Sequence, residues 1–166
     1  MNNFQSESKR TGDEYERVVW ADLVNRGFLT IEENVYIDKT GCEVDFVAWT
    51  SDGPKEWVEA KGGQKGHKKR PGAKRTDNVK KAIANAALIK SEYPEIYYVV
   101  YFSARPNPGS YSDQMINTAL KNKIVDEVRY VRDITYLIKA MVKDNAELLE
   151  RLGSDYGPDG KPYWEN

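Results

Sequence analysis

Asp45 and the tripeptide Glu59-Ala60-Lys61 place two carboxylates and an amine on two neighbouring hydrophobic stretches of the chain. Mg²⁺ takes one or two protein carboxylates and completes its octahedron with water and substrate phosphate, and Mn²⁺ accepts similar oxygen ligands. A metal ion held in this way polarises a phosphoryl oxygen and acidifies water, while a nearby ammonium offsets the negative charge that develops. These residue types therefore indicate metal-dependent hydrolysis of a phosphodiester, with the Ala60 carbonyl as a further oxygen ligand.

Alternating polar and apolar residues predict that these groups share one side of a β-hairpin. Residues 42–49 and 56–61 alternate as two strands, and residues 51–54 are turn formers. A register that buries the apolar residues together gathers Asp45, Glu59 and Lys61 on the opposite side. The pattern Glu-x-Lys on a strand is also common on a solvated face, so the hairpin alone does not identify a site.

A third carboxylate comes from a predicted amphipathic helix over residues 12–28, which Thr11 or Asp13 could cap. Glu16 lies on the apolar side of the helical wheel, and a carboxylate directed at a core is usually paired or bound to a metal. Glu14 is the competing residue and ranks second. The helix adds a further acidic residue to the candidate metal site.

With these elements the chain resembles the PD-(D/E)xK nuclease superfamily, which includes many restriction endonucleases, archaeal Holliday-junction resolvases and phage recombination nucleases. The resemblance spans about residues 12–103. One departure is Val44, which stands where many members have proline. The matching residues are Glu16, Gly27-Phe28, Asn34, Gly41, Val44-Asp45-Phe46-Val47 and Glu59-Ala60-Lys61.

The resemblance implies a role for each of the candidate residues. Asp45 and Glu59 would be metal ligands, Lys61 would assist the nucleophilic water, and Glu16 would support the metal directly or through water. It also implies an α/β fold with a restriction-endonuclease-like core, in which helices flank a central mixed β-sheet in the order αβββαβ. The implied cofactor is Mg²⁺ or Mn²⁺, and no organic cofactor is expected.

Periodicity predicts the elements that follow the hairpin. A helix over residues 78–90, capped by Thr76-Asp77, leads to a buried strand at residues 96–103, and a right-handed crossover makes that strand parallel to the Glu59 strand. Ser112-Asp113 is predicted to cap a short helix. An edge strand at 125–131 and a helix over 133–152 follow. We therefore expect a flexible N-terminus (1–11), a single nuclease domain (12–152) and a C-terminal tail (153–166).

A basic, glycine-containing segment at residues 61–75, which begins at Lys61 and has no acidic residue, predicts contact with DNA phosphates. The alternative is a solvated loop with a localisation-like charge run. Asn78, Lys81 and Asn85 share one stripe of the next helix, which could contact DNA or the active site, although exposed surface is the simpler interpretation. The cations predicted to contact DNA are Lys65, Lys68, Lys69, Arg70, Lys74, Arg75, Lys80 and Lys81.

Composition limits the remaining possibilities. The 166 residues carry a net charge of -1, with Cys42 the only cysteine and His67 the only histidine. A histidine-based zinc site or a Ser-His-Asp triad is therefore disfavoured. The single cysteine favours a cytoplasmic protein, and no apolar stretch is long enough to span a membrane.

The sequence thus predicts a metal-dependent DNA endonuclease, either restriction-type or resolvase-like. Cleavage of both strands with one site per chain favours a two-fold homodimer. Two alternatives remain open, namely a nucleic-acid-binding protein that keeps the nuclease scaffold without turnover, and an RNA-directed nuclease.

Overall fold

The computed structural model describes residues 2–63 and 70–131, with side chains from Glu14 onwards. In this part of the chain three helices and a five-stranded mixed sheet form an α/β fold. The predicted helix at 133–152 and the tail at 153–166 lie outside the described residues. The elements are α1 (Asn2–Asn25), β1 (Thr30–Ile37), β2 (Cys42–Thr50), β3 (Gly53–Lys61), a 3₁₀ turn (Gly72–Lys74), α2 (Thr76–Glu92), β4 (Tyr98–Phe102), α3 (Tyr111–Lys121) and β5 (Glu127–Tyr130).

The strands lie in the sheet in chain order, β1-β2-β3-β4-β5. The first three form an antiparallel meander, whereas β4 pairs in parallel with β3 and β5 in parallel with β4. The prediction of a strand parallel to the Glu59 strand is confirmed, with Glu59 opposite Val100. The short strand near residue 128 lies at the sheet edge, as predicted.

Helix α1 ends as predicted but begins earlier. The backbone N–H groups of Gly27 and Phe28 donate to the carbonyls of Val24 and Leu23, at 2.9 and 3.3 Å, and Gly27 has a φ of 96°. This is a Schellman termination, which favours glycine at the left-handed position. At the other end α1 begins at Asn2, so the helix runs through the stretch that we expected to be flexible. Residues 2–11 contain no proline or glycine to stop it.

The predicted N-caps of all three helices are wrong. Neither Thr11 nor Asp13 is the N-cap of α1, because that helix begins at Asn2. Thr76 and Asp77 lie inside α2, whose N-cap is Arg75 with no side-chain cap. The N-cap of α3 is Ser110, whose hydroxyl accepts from the Asp113 N–H at 3.3 Å. Several cap-forming residues stand near each helix start, and the path by which the chain enters the helix decides which of them acts.

Each face of the sheet carries its own apolar core. On one face Val19 and Leu23 of α1 pack with Phe46 and Val58 of the hairpin. On the other face Ala82, Ala86 and Ile89 of α2 and Ile116 of α3 pack with Val47, Val100 and Phe102. Burying a side chain of this size contributes roughly 1.5–3 kcal/mol, so both layers stabilise the hairpin between them.

A buried ionic network lies on the α1 face. Arg129 donates to both oxygens of Glu56, at 2.7 and 2.8 Å, and to the Tyr101 hydroxyl at 2.8 Å. That hydroxyl donates in turn to Asp22 at 2.8 Å. Each charge in the network has a partner, as a buried charge requires.

Candidate functional site

Glu59 lies on the face of the sheet that α2 covers, and Asp45 and Lys61 lie beside it. Lys61 Nζ forms an ion pair with Glu59 Oε1, and Asp45 Oδ2 accepts a hydrogen bond of 2.6 Å from the Ala60 N–H. Alternation along β3 puts Glu59 and Lys61 on one side, and the hairpin register brings Asp45 beside them. The structure therefore brings together the three side chains that the sequence placed on one face.

Asp45 lies where the pairing of β2 with both of its neighbours, β1 and β3, is interrupted. Pairing between β2 and β3 runs only as far as Phe46 opposite Val58, so the Asp45 carboxylate takes the Ala60 N–H that a longer ladder would have used. On the other side, Asn34 has a φ of 52° and interrupts the pairing of β1 with β2. Asn is one of the few residue types that tolerate this conformation. The interruptions give the Asp45 carboxylate space beside β3.

Glu59 is buried, at 3% exposure, and both of its oxygens accept hydrogen bonds. The Tyr98 hydroxyl of β4 donates to Oε2 at 3.1 Å, and the Asn85 amide of α2 donates to Oε1 at 3.3 Å. Sequence reasoning treated Asn85 as part of an exposed stripe and did not assign Tyr98 to the site. The signal for Asn85 was the polar stripe itself, whose contact with the active site was the less favoured interpretation.

Burial and neighbouring charges shift the pKa values of the site. Burial, and after it the Glu59 charge, raise the pKa of Asp45, the Ala60 N–H and the Lys61 charge partly offset them, and the net result is a shift from 3.8 to about 6. Burial alone would lower the pKa of Lys61, but the charges of Glu59, Asp45 and Glu16 raise it above its usual value. Lys61 is therefore an ammonium at neutral pH, suited to charge stabilisation and not to proton abstraction.

The two candidate glutamates of α1 differ in burial. Glu14 is the more buried of the two, at 8% exposure, whereas Glu16 is partly buried. The Glu16 charge nevertheless acts on Lys61. Within residues 14–63 and 70–131, no three His, Cys, Asp or Glu side chains form a set that could hold a metal ion. The carboxylates that the hairpin itself brings beside Lys61 are Asp45 and Glu59.

The donor set suits a divalent ion with few protein ligands. Two carboxylates stand close enough for one to raise the pKa of the other, and a cation between them would relieve that repulsion. The N–H and C=O of one strand residue point to the same side, so the Ala60 carbonyl is directed to the side on which Asp45 accepts the Ala60 N–H. Asp45, Glu59 and the Ala60 carbonyl could therefore hold Mg²⁺ or Mn²⁺.

Hydrogen bonds between Gly62, Gly72 and Asn78 hold the basic segment closed directly beside the site. The Gly72 N–H donates to the Gly62 carbonyl at 3.2 Å, and the Asn78 amide donates to the carbonyls of Gly62 and Gly72, at 3.4 and 3.1 Å. A Cβ at Gly62 would lie 2.4 Å from Tyr15 Cβ, so only glycine fits there. The basic segment therefore leaves and rejoins the fold next to Lys61.

Part of the predicted DNA-contacting set can be located. Lys65, Lys68 and Lys69 lie outside the described residues. Lys81 and Arg75 pair with Asp77, at 3.1 and 3.9 Å, and such exposed pairs are weak enough to be exchanged for phosphate contacts. The described members of the set are all exposed: Arg70, Lys74, Arg75, Lys80 and Lys81.

Comparisons of the chain with family models, curated proteins and solved structures find no match. Within the described residues, no helix combines the length and the apolar character needed to cross a membrane. The assignment of function therefore depends on the residues and geometry of the site itself.

Proposed function

We propose that this protein is a Mg²⁺- or Mn²⁺-dependent DNA endonuclease of the PD-(D/E)xK type, with a restriction-endonuclease-like core. The observation that carries the proposal is the convergence of Asp45, Glu59 and Lys61 beside one another on the β2–β3 hairpin. The element order, a helix, three strands, a helix and a strand, supports the same assignment.

The reaction would be hydrolysis, in which water adds to phosphorus and the phosphorus–oxygen bond to one sugar breaks. Asp45, Glu59 and the Ala60 carbonyl would hold the ion, which supplies Lewis-acid polarisation of the phosphoryl oxygen. Lys61 would orient the attacking water and offset the charge that develops on the phosphoryl group, because its raised pKa keeps it cationic. The Glu16 charge, which acts on Lys61, would help to hold that ammonium in place.

The charge distribution supports DNA as the substrate. The net charge is only -1, but the exposed cations Lys74, Arg75 and Lys80 follow the point where the basic segment rejoins the fold beside Lys61. Each neutralised phosphate would add salt-dependent affinity through counterion release. The proposal includes a homodimer, which would give one site for each DNA strand, and a cytoplasmic location, which rests on the single cysteine.

Incubation of supercoiled plasmid and a synthetic four-way junction with Mg²⁺ or Mn²⁺ tests this function. We expect the wild type to cut at least one of them, and Asp45→Ala and Lys61→Ala to abolish or strongly reduce cutting. Discrete plasmid fragments would indicate a restriction-type enzyme, whereas sequence-independent cutting of the junction would indicate a resolvase-like enzyme.

An exposed-site variant, Lys39→Ala, serves as the charge-matched control, since Lys39 lies in the β1–β2 turn. Cutting that survives both site substitutions would remove these residues from the mechanism. DNA binding without cutting would favour a binding protein on a nuclease scaffold, and selective cutting of RNA would favour the RNA-directed alternative.

A further inference from the structure

The Glu59 carboxylate is held by two neutral side chains from different parts of the fold. Tyr98 on β4 donates to Oε2 at 3.1 Å, and Asn85 on α2 donates to Oε1 at 3.3 Å. Tyr98 has no exposed surface, and Glu59 is only 3% exposed. Since little water can reach the carboxylate, these two donors and Lys61 determine its orientation.

The contacts from Lys61, Tyr98 and Asn85 restrain the Glu59 carboxylate more than neutralising its charge would require. Lys61 already supplies the opposite charge on Oε1, whereas Tyr98 holds the second oxygen, so rotation about the bond to the carboxylate would break contacts on both sides. The orientation of Glu59 is therefore defined before any ligand binds.

We propose that Tyr98 and Asn85 are positioning residues, which orient the Glu59 carboxylate toward Asp45 for binding a divalent ion. This inference rests on the proposed nuclease function. Donors that orient a ligating carboxylate typically change metal affinity by about 10–100-fold when they are removed. Neither residue would touch the substrate, so both act through Glu59.

Tyr98→Phe removes one hydroxyl and keeps the buried ring. The matched control is Tyr101→Phe on the same strand, because Tyr101 is also fully buried and its hydroxyl also donates to a carboxylate, Asp22. Tyr101 lies on the α1 face, away from Glu59. Asn85→Ala removes the second donor from a partly buried helix position and tests the same idea if Tyr98→Phe fails to fold.

Mn²⁺ binding without DNA, measured by calorimetry, is the primary readout, and cleavage titrated against Mn²⁺ is the second. We expect Tyr98→Phe and Asn85→Ala each to weaken Mn²⁺ binding on the order of tenfold. Each should raise the Mn²⁺ concentration for half-maximal cleavage, with a smaller effect on the rate at saturating Mn²⁺. Tyr101→Phe should leave Mn²⁺ affinity unchanged even where it lowers the melting temperature.

The outcomes separate the inference from the function on which it rests. If the wild type binds Mn²⁺ and cuts DNA but the site variants keep wild-type affinity, the positioning role is wrong and the nuclease assignment stands. An equal loss of affinity in Tyr101→Phe would also overturn the positioning role. If the wild type neither binds Mn²⁺ nor cuts DNA, both proposals fail together.

Discussion

Replacing Asp45 with asparagine should stabilise the metal-free fold while abolishing DNA cleavage. Asp45 lies beside Glu59 in a partly buried position, and the two like charges repel each other. Asparagine has nearly the same shape, and its side-chain oxygen can still accept the Ala60 N–H that Asp45 accepts at 2.6 Å. The substitution therefore removes the repulsion and keeps the hydrogen bond, but it also removes a charge that a divalent ion needs.

The magnitude follows from the pKa of Asp45, which is raised from 3.8 to about 6. Since the folded-state pKa is the higher one, the folded chain binds more protons between about pH 4 and about pH 6, and stability from this group falls as pH rises through that window. A pKa difference of one corresponds to about 1.4 kcal/mol, so the cost approaches about 3 kcal/mol above pH 6. Asp45→Asn should recover much of that free energy at pH 7.5 and little at pH 4.

Urea denaturation in EDTA at several pH values measures this effect as the difference between variant and wild type, which cancels the other carboxylates. Asp52→Asn, in the exposed β2–β3 turn, controls for the loss of one negative charge. Added Mn²⁺ should stabilise the wild type by mass action, by about 2.7 kcal/mol at a hundredfold excess over Kd, and not the variant. An Asp45→Asn protein that is less stable than wild type at pH 7.5 would refute the reasoning.

Three further substitutions test other parts of the structure. Lys61→Met should lower the single-turnover cleavage rate by about 10²–10³-fold, because the charge on the phosphoryl group would lose its ammonium, while calorimetry should still detect Mn²⁺ binding; a wild-type rate would contradict the assigned role. Arg129→Leu leaves Glu56 buried without its bidentate partner and should cost roughly 3–5 kcal/mol of unfolding free energy in urea; a loss near zero would show that the network relaxes. Gly72→Ala should destabilise more than Gly109→Ala in thermal unfolding, since both have positive φ but only the Cβ at Gly72 would meet backbone, at 2.4 Å from the Ala104 nitrogen; equal losses would contradict the overlap.

The sequence alone was sufficient to predict features that depend only on neighbouring residues. Alternation along β3 placed Glu59 and Lys61 on one face, because the period of two is a property of the extended backbone. In β2 the alternation breaks at Asp45, since Val44 packs in one core and Phe46 and Ala48 pack in the other. The turn formers at 51–54 marked the hairpin, but the register at Asp45 also depends on a β-bulge between Ala48 and Trp49. The glycine at 27 marked the end of α1 for an equally local reason, since few other residues adopt its conformation.

Tertiary structure decided what lies around those residues. Asn85 and Tyr98 reach Glu59 from 26 and 39 positions along the chain, and no local pattern identifies Glu59 as their partner. The greater burial of Glu14 over Glu16 depends on how α1 is rotated against the sheet, a rotation set by packing of the whole apolar face. The closure of the basic segment by Asn78 likewise exists only because α2 starts beside the end of β3. Periodicity therefore identified the reactive groups, whereas their hydrogen-bond partners and pKa values arose from long-range packing that places separate elements in contact.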